Sequence, residues 1–414
     1  MSKVRGFFSP NYPTQIALAL GVGSLVGWLF QERVVFLGDI GLILIQLIKA
    51  LATPLIFFAI VNSFVKTPMR PMNGIRLLTI SGINAIVAGF IALGVFTTLI
   101  FLKPDIGNLE GVFPARMPGG VPRGLPHNVV PLDLTKALDT MVPESIFEPF
   151  VTHNALSTII LAIFTGIVLK KLKKAGGNHD EVNTLERFFG GGLLLSSGML
   201  KILIRFVPLA VFGVIAKIVG TSGFAIFSSL AFFVVIVSAG LFIHAVVYYS
   251  FLLFTVARVS PLQFMKNAQD ALVTAFATGS SLATLPVTLR TLREKLKVSD
   301  ESASLAACVG TNLNHDGILL YEAIAALFVA HVNGIQLVGT QKILLLGLSA
   351  MAAFGIAGVP DAGLITLSIV LSSLGLPLTL VPVLMTVDWL IGRLRATVNV
   401  TSDMVVATIL DRYR

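Results

Sequence analysis

Long apolar runs recur along the chain and are separated by short polar segments. Runs of this length can cross a bilayer as helices, whereas a buried helix of a soluble domain is usually shorter. The pattern therefore predicts an all-α polytopic membrane protein. The apolar runs that precede the more polar C-terminal part of the chain cover residues 14–30, 35–65, 77–102, 156–172, 188–219 and 224–256.

The composition agrees with a membrane protein. The 414 residues are 55% hydrophobic and only 12% charged, whereas a soluble domain carries about twice that charged fraction. The formal net charge is +9, but the basic residues cluster in short loops, as between Lys170 and Lys174. Such clusters mark the cytoplasmic side of a membrane protein, so we expect no nucleic-acid partner. The only cysteine, Cys308, excludes a disulfide framework and is predicted to be buried.

Several connecting segments can be placed from the same pattern. The basic N-terminus and the long first run predict an uncleaved first span that starts on the cytoplasmic side. Residues 66–76, with two prolines, are predicted to form a cytoplasmic loop. Residues 103–127 are rich in proline and glycine, which predicts an exposed, mobile segment outside the membrane. The glycine run 190–192 and Pro208 are expected to break the fifth apolar run.

The last apolar segment, from residue 378 onwards, contains ionisable groups that a lipid-facing helix would not tolerate. Asp388, Arg395, Asn399 and Asp403 follow one another at steps of seven, four and four residues. These steps place all four side chains on one face of a helix. Ionisable groups at membrane depth normally face a protein interior or a water-filled site, so this face is the candidate binding surface. The neighbouring Arg393 is predicted to be structural, and Asp388 is expected either to act as a cap or to pair with Arg393.

Two earlier segments each consist of two short apolar arms around a tip. Residues 271–292 have the tip Thr278-Gly279-Ser280-Ser281, and residues 344–376 have a glycine-rich tip from Gly355 to Gly363. Each arm is too short to cross the bilayer, so the pattern predicts two re-entrant hairpins. Paired interruptions of this kind indicate the binding site of a transporter, where helix N-termini bind anions and unwound carbonyls bind cations.

A third interruption lies between the two hairpins. The segment from Asn312 to Gly317 breaks the apolar run 303–330, and its asparagine and aspartate oxygens suit a small hard cation. Glu322 follows at membrane depth. Each residue also has a structural interpretation, with Asp316 as a helix cap, His315 as a packed imidazole and Glu322 as a hydrogen-bonded buried carboxyl.

Four motifs together resemble the dicarboxylate/amino acid:cation symporters. This family includes glutamate and aspartate transporters, neutral amino acid exchangers and bacterial C4-dicarboxylate carriers. Weaker similarity extends over nearly the whole chain. In chain order the motifs are Ser280-Ser281 followed by Thr284-Leu285-Pro286-Val287-Thr288, then Asn314-x-Asp316-Gly317, then Ala357-Gly358-Val359-Pro360, and finally the segment from Arg395 to Asp403.

The resemblance implies a fold and an assembly. The expected fold has eight transmembrane helices, two re-entrant helical hairpins and inverted repeats, in an elevator-type homotrimer in a cell membrane (the inner membrane of a prokaryote). A scaffold would comprise residues 1–76 with spans one and two, and residues 128–222 with spans four and five. The transport domain would comprise residues 77–127, with span three and an extracellular loop, and residues 223–414, with span six, hairpin 1, span seven, hairpin 2 and span eight.

The resemblance also implies roles for individual residues. Arg395 matches the arginine that pairs with a substrate carboxylate, and Asn399 matches the amide that holds a second carboxylate. Further substrate positions lie at the hairpin tips and beside the arginine; they are Ser280, Ser281, Val359, Gly363, Ile318 and Gly392. The matched sodium positions are Asn314, Asp316, Asn399 and Asp403. His315 and Glu322 are candidates for proton coupling.

Some positions depart from the family pattern. Gly392 replaces the aspartate that binds a substrate amino group, and Ala396 replaces the following threonine, as in the dicarboxylate branch. Ile318 replaces a threonine that touches the side-chain carboxylate of the substrate. This change weakens recognition of that carboxylate and so argues against a dicarboxylate. His315 replaces the usual methionine, and Asp361 adds a negative charge at the second tip. An ungapped alignment also places apolar residues of span three at positions of sodium ligands; they are Ile83, Ile86 and Val87.

These features predict a secondary active symporter of a C4-dicarboxylate or an acidic amino acid, coupled to sodium, to protons or to both. The glycine at position 392 shifts the balance slightly toward a dicarboxylate. The alternative is an uncoupled or exchanger-type carrier of small carboxylates or neutral amino acids on the same scaffold. An enzyme is not expected, because the sequence has no nucleophile–base pair in a triad-like context.

Overall fold

The structure is a computed structural model that describes residues 12–66, 71–102, 145–151, 155–175, 179–310, 314–355 and 362–413. These residues are almost entirely helical, and none of them forms a strand, which confirms the all-α class. Three described stretches are long and apolar enough to cross a membrane, namely Thr14–Gly41, Gly74–Leu102 and Phe227–Ala257. The total of eight spans stays a prediction. The predicted loop 103–127, Val359 and Asp361 lie outside the described residues.

The N-terminal half of the described chain forms helices that follow the predicted apolar runs. Helix α3 begins at Pro71, so the predicted loop 66–76 is shorter than expected. Proline is well suited to the first turn of a helix, because the N–H that it lacks would have no partner there. The helices are α1 Tyr12–Phe30, α2 Val35–Lys66, α3 Pro71–Leu102, α4 Glu148–Val151, α5 Ala155–Ala175, α6 His179–Ile204 and α7 Val207–Ser222.

The prediction that the glycine run interrupts its segment is wrong. Helix α6 continues through all three glycines and ends only at Ile204. The Phe58 ring of α2 packs where a side chain at Gly192 would lie, 2.5 Å from the ideal Cβ position. The small residue here permits a close helix–helix contact rather than a break. The predicted break at Pro208 is confirmed, because this proline lies in the first turn of α7.

Helices α1 and α7 pack with their backbones in close contact. An ideal Cβ at Gly23 would lie 2.7 Å from the carbonyl oxygen of Phe212. A Cβ at Gly27 would overlap the carbonyl of Ala216 in the same way. Small residues permit this approach between helices. Helix α2 also packs against α7 and adds an ion pair, in which Lys217 Nζ lies 2.8 Å from Asp39 Oδ1.

The C-terminal half contains shorter helices and several π-helical segments, which are frequent at functional sites. Cys308, predicted to be buried, is exposed on the outer side of one such segment. The helices are α8 Ala225–Phe242, α9 Tyr249–Leu252, α10 Pro261–Thr278, α11 Ser281–Arg290, α12 Asp300–Ser304, α13 Asp316–Val332, α14 Gly339–Gly355, α15 Ala362–Ser373 and α16 Val381–Arg412, and the π-helical segments are Ile243–Tyr248, Leu253–Ala257, Thr291–Lys295 and Leu305–Val309.

Both predicted hairpins appear as pairs of helices packed against each other. Helices α10 and α11 are joined by Gly279 and Ser280, and Gly279 adopts a left-handed conformation with φ of 65°. Glycine accepts this conformation without steric cost, which explains its place in the turn. Helices α14 and α15 also pack together, and residues 356–361 between them are outside the described part. Re-entry into a membrane stays a prediction.

Helices α13 and α16 form the centre of this half. Helix α13 packs against α3, α8, α14, α15 and α16, and it is buried along nearly its whole length. Helix α16 also contacts both arms of the first hairpin. The interrupted segment before α13 is confirmed at Asn314 and His315, which precede the helix in non-helical conformation. The polar residues of α16 are therefore brought to this interruption.

Candidate functional site

The polar face predicted for the last helix is present in α16. Asp388, Arg395, Asn399 and Asp403 are only 8%, 6%, 4% and 2% exposed, respectively. Trp389, which the spacing places on another face, is 47% exposed. Four polar residues are thus withdrawn from the surface along one side of the helix, as an internal site requires.

Arg395 contacts a carboxylate and an aromatic ring among the described residues. Its Nη2 lies 2.9 Å from Oδ1 and 3.0 Å from Oδ2 of Asp388. Its Cζ lies 4.2 Å from the centroid of the Tyr321 ring, which is the geometry of a cation–π contact. Asp388 thus forms an ion pair with Arg395. Arg393 instead donates from Nη1 to the carbonyl oxygens of Phe276 and Ala277, so the pairing of Asp388 with Arg393, one of its two interpretations, is wrong.

Two glycines named as substrate positions lie against this guanidinium. A Cβ at Gly363, in the first turn of α15, would overlap the guanidinium group of Arg395. An ideal Cβ at Gly392 would lie 3.3 Å from Arg395 Nη2. The second hairpin can approach Arg395 this closely only because position 363 has no side chain. The structure therefore brings together Arg395, Gly363 and Gly392.

The interrupted segment before α13 is attached to α16 through Asn399. The backbone N–H of Gly317 donates to Asn399 Oδ1 at 2.9 Å. An ideal Cβ at Gly317 would lie 2.7 Å from the carbonyl oxygen of Arg395, so the two backbones are in close contact. Ile318 follows in the first turn of α13 and is partly buried. Two predicted substrate residues, Asn399 and Ile318, thus lie beside the helix break.

Asp316 lies at the centre of a buried hydrogen-bond network. Its Oδ2 accepts hydrogen bonds from the hydroxyls of Tyr249 and Ser402, each at 2.7 Å. His244 Nε2 lies 3.3 Å from the same oxygen. Buried carboxylates require partners of this kind. The network joins the π-helical region after α8 with α13 and α16.

A second group of contacts extends the network to α3. Asn314 Nδ2 lies 2.6 Å from Ser402 Oγ and 3.4 Å from Asp403 Oδ1. Asn84 Nδ2 lies 3.5 Å from Ser402 Oγ, and the Tyr248 hydroxyl donates to Asn84 Oδ1 at 2.8 Å. Asn314 Oδ1 is buried and has no hydrogen-bond partner. Asn314 thus offers an amide oxygen without a donor, and its Nδ2 lies near Asp403 and near Ser402, which bonds to Asp316. Amide and carboxylate oxygens are ligands that fit a hard cation such as sodium.

The two candidates for proton coupling occupy different surroundings. The His315 ring donates a hydrogen bond to the backbone carbonyl of Ala353, near the end of α14, and its Nδ1 is buried without a partner. Glu322 is fully buried in α13, and no well-formed hydrogen bond reaches either of its carboxylate oxygens. His315 therefore connects the interrupted segment to the second hairpin, whereas Glu322 is enclosed in the helix core.

The first-hairpin residues are placed at the tip. Ser280 is the N-cap of α11, and its Oγ accepts from the backbone N–H of Ala283 at 3.2 Å. Serine is preferred at this position, because its side chain satisfies an N–H that the helix cannot. Ser281 begins the helix. Near the tip, Arg393 of α16 donates hydrogen bonds to carbonyl oxygens of this hairpin.

Sequence reasoning missed several members of the site, namely His244, Tyr248, Tyr249, Tyr321, Asn84 and Ser402. A histidine and two tyrosines within a long apolar run were the available signal, because polar groups at membrane depth normally face a site. The assignment of span-three residues to sodium positions stays a prediction. Ile83 and Ile86 are 51% and 60% exposed, whereas Asn84, next to Ile83, is fully buried.

Interrupted helices that converge on a buried arginine, amides and carboxylates are typical of the binding sites of membrane transporters. The comparison with known families gives the same class. The model of the sodium:dicarboxylate symporter family matches residues 13–413. The chain therefore belongs to the sodium:dicarboxylate symporter family, which confirms the resemblance found in its motifs.

Several individual relatives are mammalian transporters. Excitatory amino acid transporter 3 of Mus musculus is 35% identical over 301 residues, which are 71% of this chain and 55% of the relative. The Oryctolagus cuniculus transporter of the same name is 37% identical over 251 residues, 60% of this chain and 47% of the relative. Excitatory amino acid transporter 1 of Bos taurus is 36% identical over 260 residues, 62% and 47% of the two chains. The chain spans about half the length of these curated relatives.

Proposed function

We propose that the protein is a secondary active symporter that carries a C4-dicarboxylate together with sodium. The observation that carries this proposal is the buried guanidinium of Arg395, which lies against Gly363 and next to Gly392. A guanidinium offers paired N–H donors whose geometry matches a carboxylate. The family match and the names of the relatives, which describe transport of excitatory amino acids, support a small carboxylate as substrate.

In the proposed complex one substrate carboxylate binds Arg395 and the other binds Asn399. These residues are four positions apart on α16, so their side chains lie on one face of the helix. The hairpin tips cover the substrate from two sides through Ser280, Ser281 and Gly363. Val359, which lies outside the described residues, is proposed to contact the substrate on the basis of the family resemblance. Ile318 and Gly392 complete the pocket and influence which substrate fits.

Asp388 has a defined part in this proposal. A buried charge without a partner is strongly unfavourable, and in the structure Asp388 supplies the partner of Arg395. The incoming carboxylate would then share Arg395 with Asp388 or take its place. The guanidinium has enough N–H donors to serve both groups.

The preference for a dicarboxylate rests on position 392. An amino acid substrate brings an ammonium group, which needs a negative or carbonyl partner when it leaves water. An acidic side chain at position 392 would lie beside Arg395, but the glycine provides none. A C4-dicarboxylate has no ammonium group and does not need this partner.

Sodium is proposed to bind at Asn314, Asp316, Asn399 and Asp403. The support is the oxygen-rich cluster itself, in which Asn314 Oδ1 has no hydrogen-bond partner. Ser402 lies between Asn314 and Asp316 and belongs to the same cluster. His315 and Glu322 remain the proposed residues for proton coupling, because both are buried, His315 directly before α13 and Glu322 within it.

Uptake by reconstituted liposomes tests the proposal. Labelled succinate and aspartate are offered with an inward sodium gradient, with an inward proton gradient and with neither. The expected result is accumulation of succinate that requires sodium. Uptake that ignores both gradients would contradict symport and favour the uncoupled carrier. Accumulation of aspartate rather than succinate would contradict the interpretation of Gly392.

A further inference from the structure

Arg393 connects α16 to the tip of the first hairpin. Its Nη1 donates to the carbonyl oxygen of Ala277 at 2.6 Å and to that of Phe276 at 3.1 Å. Both carbonyls belong to the last turn of α10. The contact therefore joins two elements that are more than a hundred positions apart in the chain.

The position of this contact has a clear physical basis. The last carbonyls of a helix have no N–H partner within the helix, and they carry the negative end of the helix dipole. A guanidinium supplies both a positive charge and hydrogen-bond donors for them. The side-chain stem also contributes, since Arg393 Cγ lies 3.7 Å from the ideal Cβ position of Gly279 in the turn.

The rest of the tip is ordered by its own side chains. Ser280 Oγ accepts from Ala283, and the Thr284 hydroxyl donates to the Ser280 carbonyl at 2.8 Å. The Thr278 and Thr284 hydroxyls lie 3.2 Å apart. These contacts stay within the hairpin, so they can hold its shape but cannot fix its position relative to α16.

We propose that Arg393 is a positioning residue that holds the tip of hairpin 1 against α16. Arg393 lies two residues before Arg395, so the same stretch of helix contacts the first hairpin through one arginine and the second hairpin, at Gly363, through the next. Arg393 thereby sets how often the tip leaves the site. The expected effect of Arg393 on substrate binding rests on the proposed function. The proposal that Arg393 holds the tip against α16 does not depend on that function.

Thiol labelling measures the position of the tip directly. The exposed Cys308 is first replaced in Cys308→Ser, and Ala275→Cys then places one reporter at a fully buried position of α10, one turn before the tip. The labelling rate of purified protein in detergent is compared with and without Arg393→Ala. We expect about tenfold faster labelling, because hydrogen bonds from a charged donor are lost. Removal of a nearby positive charge would by itself slow a thiolate reaction, so faster labelling reports opening.

Two further variants make the result specific. Arg393→Lys keeps the charge but loses the planar fork, and we expect a labelling rate between those of the parent and the alanine variant. Arg290→Ala removes an exposed arginine of the same hairpin, whose partner is Glu294 at 2.8 Å, and should leave the rate unchanged. An unchanged rate in a folded Arg393→Ala protein, with the thermal midpoint of its parent, would overturn the proposal.

Uptake kinetics then separate positioning from a general loss of structure. We expect Arg393→Ala to raise the KM for succinate about tenfold, with kcat preserved or increased, and Arg393→Lys to recover part of this change. A lower kcat at an unchanged KM would contradict the positioning role. If no variant transports any substrate, the labelling result still decides whether Arg393 holds the tip, so failure of the proposed function and failure of this inference are distinguishable.

Discussion

Arg395 and Asp388 form a buried ion pair within one helix, with Nη2 of Arg395 at 2.9 and 3.0 Å from the two carboxylate oxygens of Asp388. Seven residues correspond to two helical turns, and helical side chains point back toward the N-terminus, so the pair forms without distortion. Both residues are withdrawn from the surface. Arg395, the proposed substrate-binding residue, therefore has its charge neutralised by Asp388 of the same helix.

Asp388→Asn should make the protein depend on its substrate for stability. Breaking a buried pair by removing one partner costs about 3 kcal/mol or more, because a charge is left uncompensated. We expect a lower thermal midpoint in detergent and a larger increase on adding succinate than in the parent. Asp39→Asn is the control, because its carboxylate is 63% exposed in a pair with Lys217. A thermal midpoint that stays at the parent value would contradict the role assigned to Asp388.

Arg395→Gln alone should abolish succinate uptake, with a loss of at least about a hundredfold. Because this change also leaves Asp388 unpaired, the double variant Asp388→Asn with Arg395→Gln serves to separate stability from binding. The double variant should recover most of the thermal midpoint but none of the uptake. Recovered uptake in the double variant would show that Arg395 does not bind the substrate.

Gly363→Ala should displace Arg395 and suppress uptake strongly, because a Cβ at position 363 would overlap the guanidinium. Gly347→Ala is a matched control in the other arm of the same hairpin, since nothing lies within 4 Å of its ideal Cβ position. Helix propensity favours alanine over glycine by roughly 1 kcal/mol at both sites, so propensity cannot explain a difference. Equal uptake by the two variants would contradict the close approach of hairpin 2 to Arg395.

Gly392→Asp should shift the substrate preference from succinate toward aspartate. The new carboxylate would lie beside Arg395 and would repel a second carboxylate of the substrate while attracting an ammonium group. We expect the ratio of kcat/KM values to move about tenfold or more in favour of aspartate, which corresponds to roughly 1.4 kcal/mol. Gly392→Asn has nearly the same size without the charge. If the asparagine variant shifts the preference equally, charge is not the cause.

Ser402→Ala should weaken the response to sodium. Its hydroxyl donates to Asp316 and lies 2.6 Å from Asn314 Nδ2, so its loss disturbs two proposed ligands together. We expect the sodium concentration for half-maximal uptake to rise about tenfold, as the loss of a buried hydrogen bond to a charged group predicts. The neighbouring Thr401→Ala removes a buried hydroxyl that bonds only to its own helix at Thr397. A similar sodium response in both variants would contradict the proposed cluster.

The sequence was sufficient where one helix determines the arrangement. The spacing of Asp388, Arg395, Asn399 and Asp403 predicts a common face, and all four are buried there. The pairing within that face was not predicted. Arg393 lies five residues after Asp388, which is about 140° away around the helix, whereas Arg395 lies only about 20° away. Helical geometry therefore makes Arg395 the ion-pair partner of Asp388, whereas Arg393 faces the first hairpin.

The sequence was insufficient where several helices meet. His244, Tyr249 and Asn84 enter the Asp316 network from helices whose orientation relative to α16 is set by tertiary packing. The glycine run of α6 was misjudged for the same reason, because its effect depends on the ring of Phe58 in another helix. Local propensity decides such cases only when no neighbour intervenes.

The glycine contacts between α1 and α7 constrain how the molecule can deform. The carbonyls of Phe212 and Ala216 occupy the places that side chains at Gly23 and Gly27 would take. Sliding one helix along the other would drive carbonyl oxygens into neighbouring Cα atoms, so these two helices must travel as a single piece. Any displacement during transport would therefore occur at helix contacts that are made by side chains, because side chains can change rotamer at little cost.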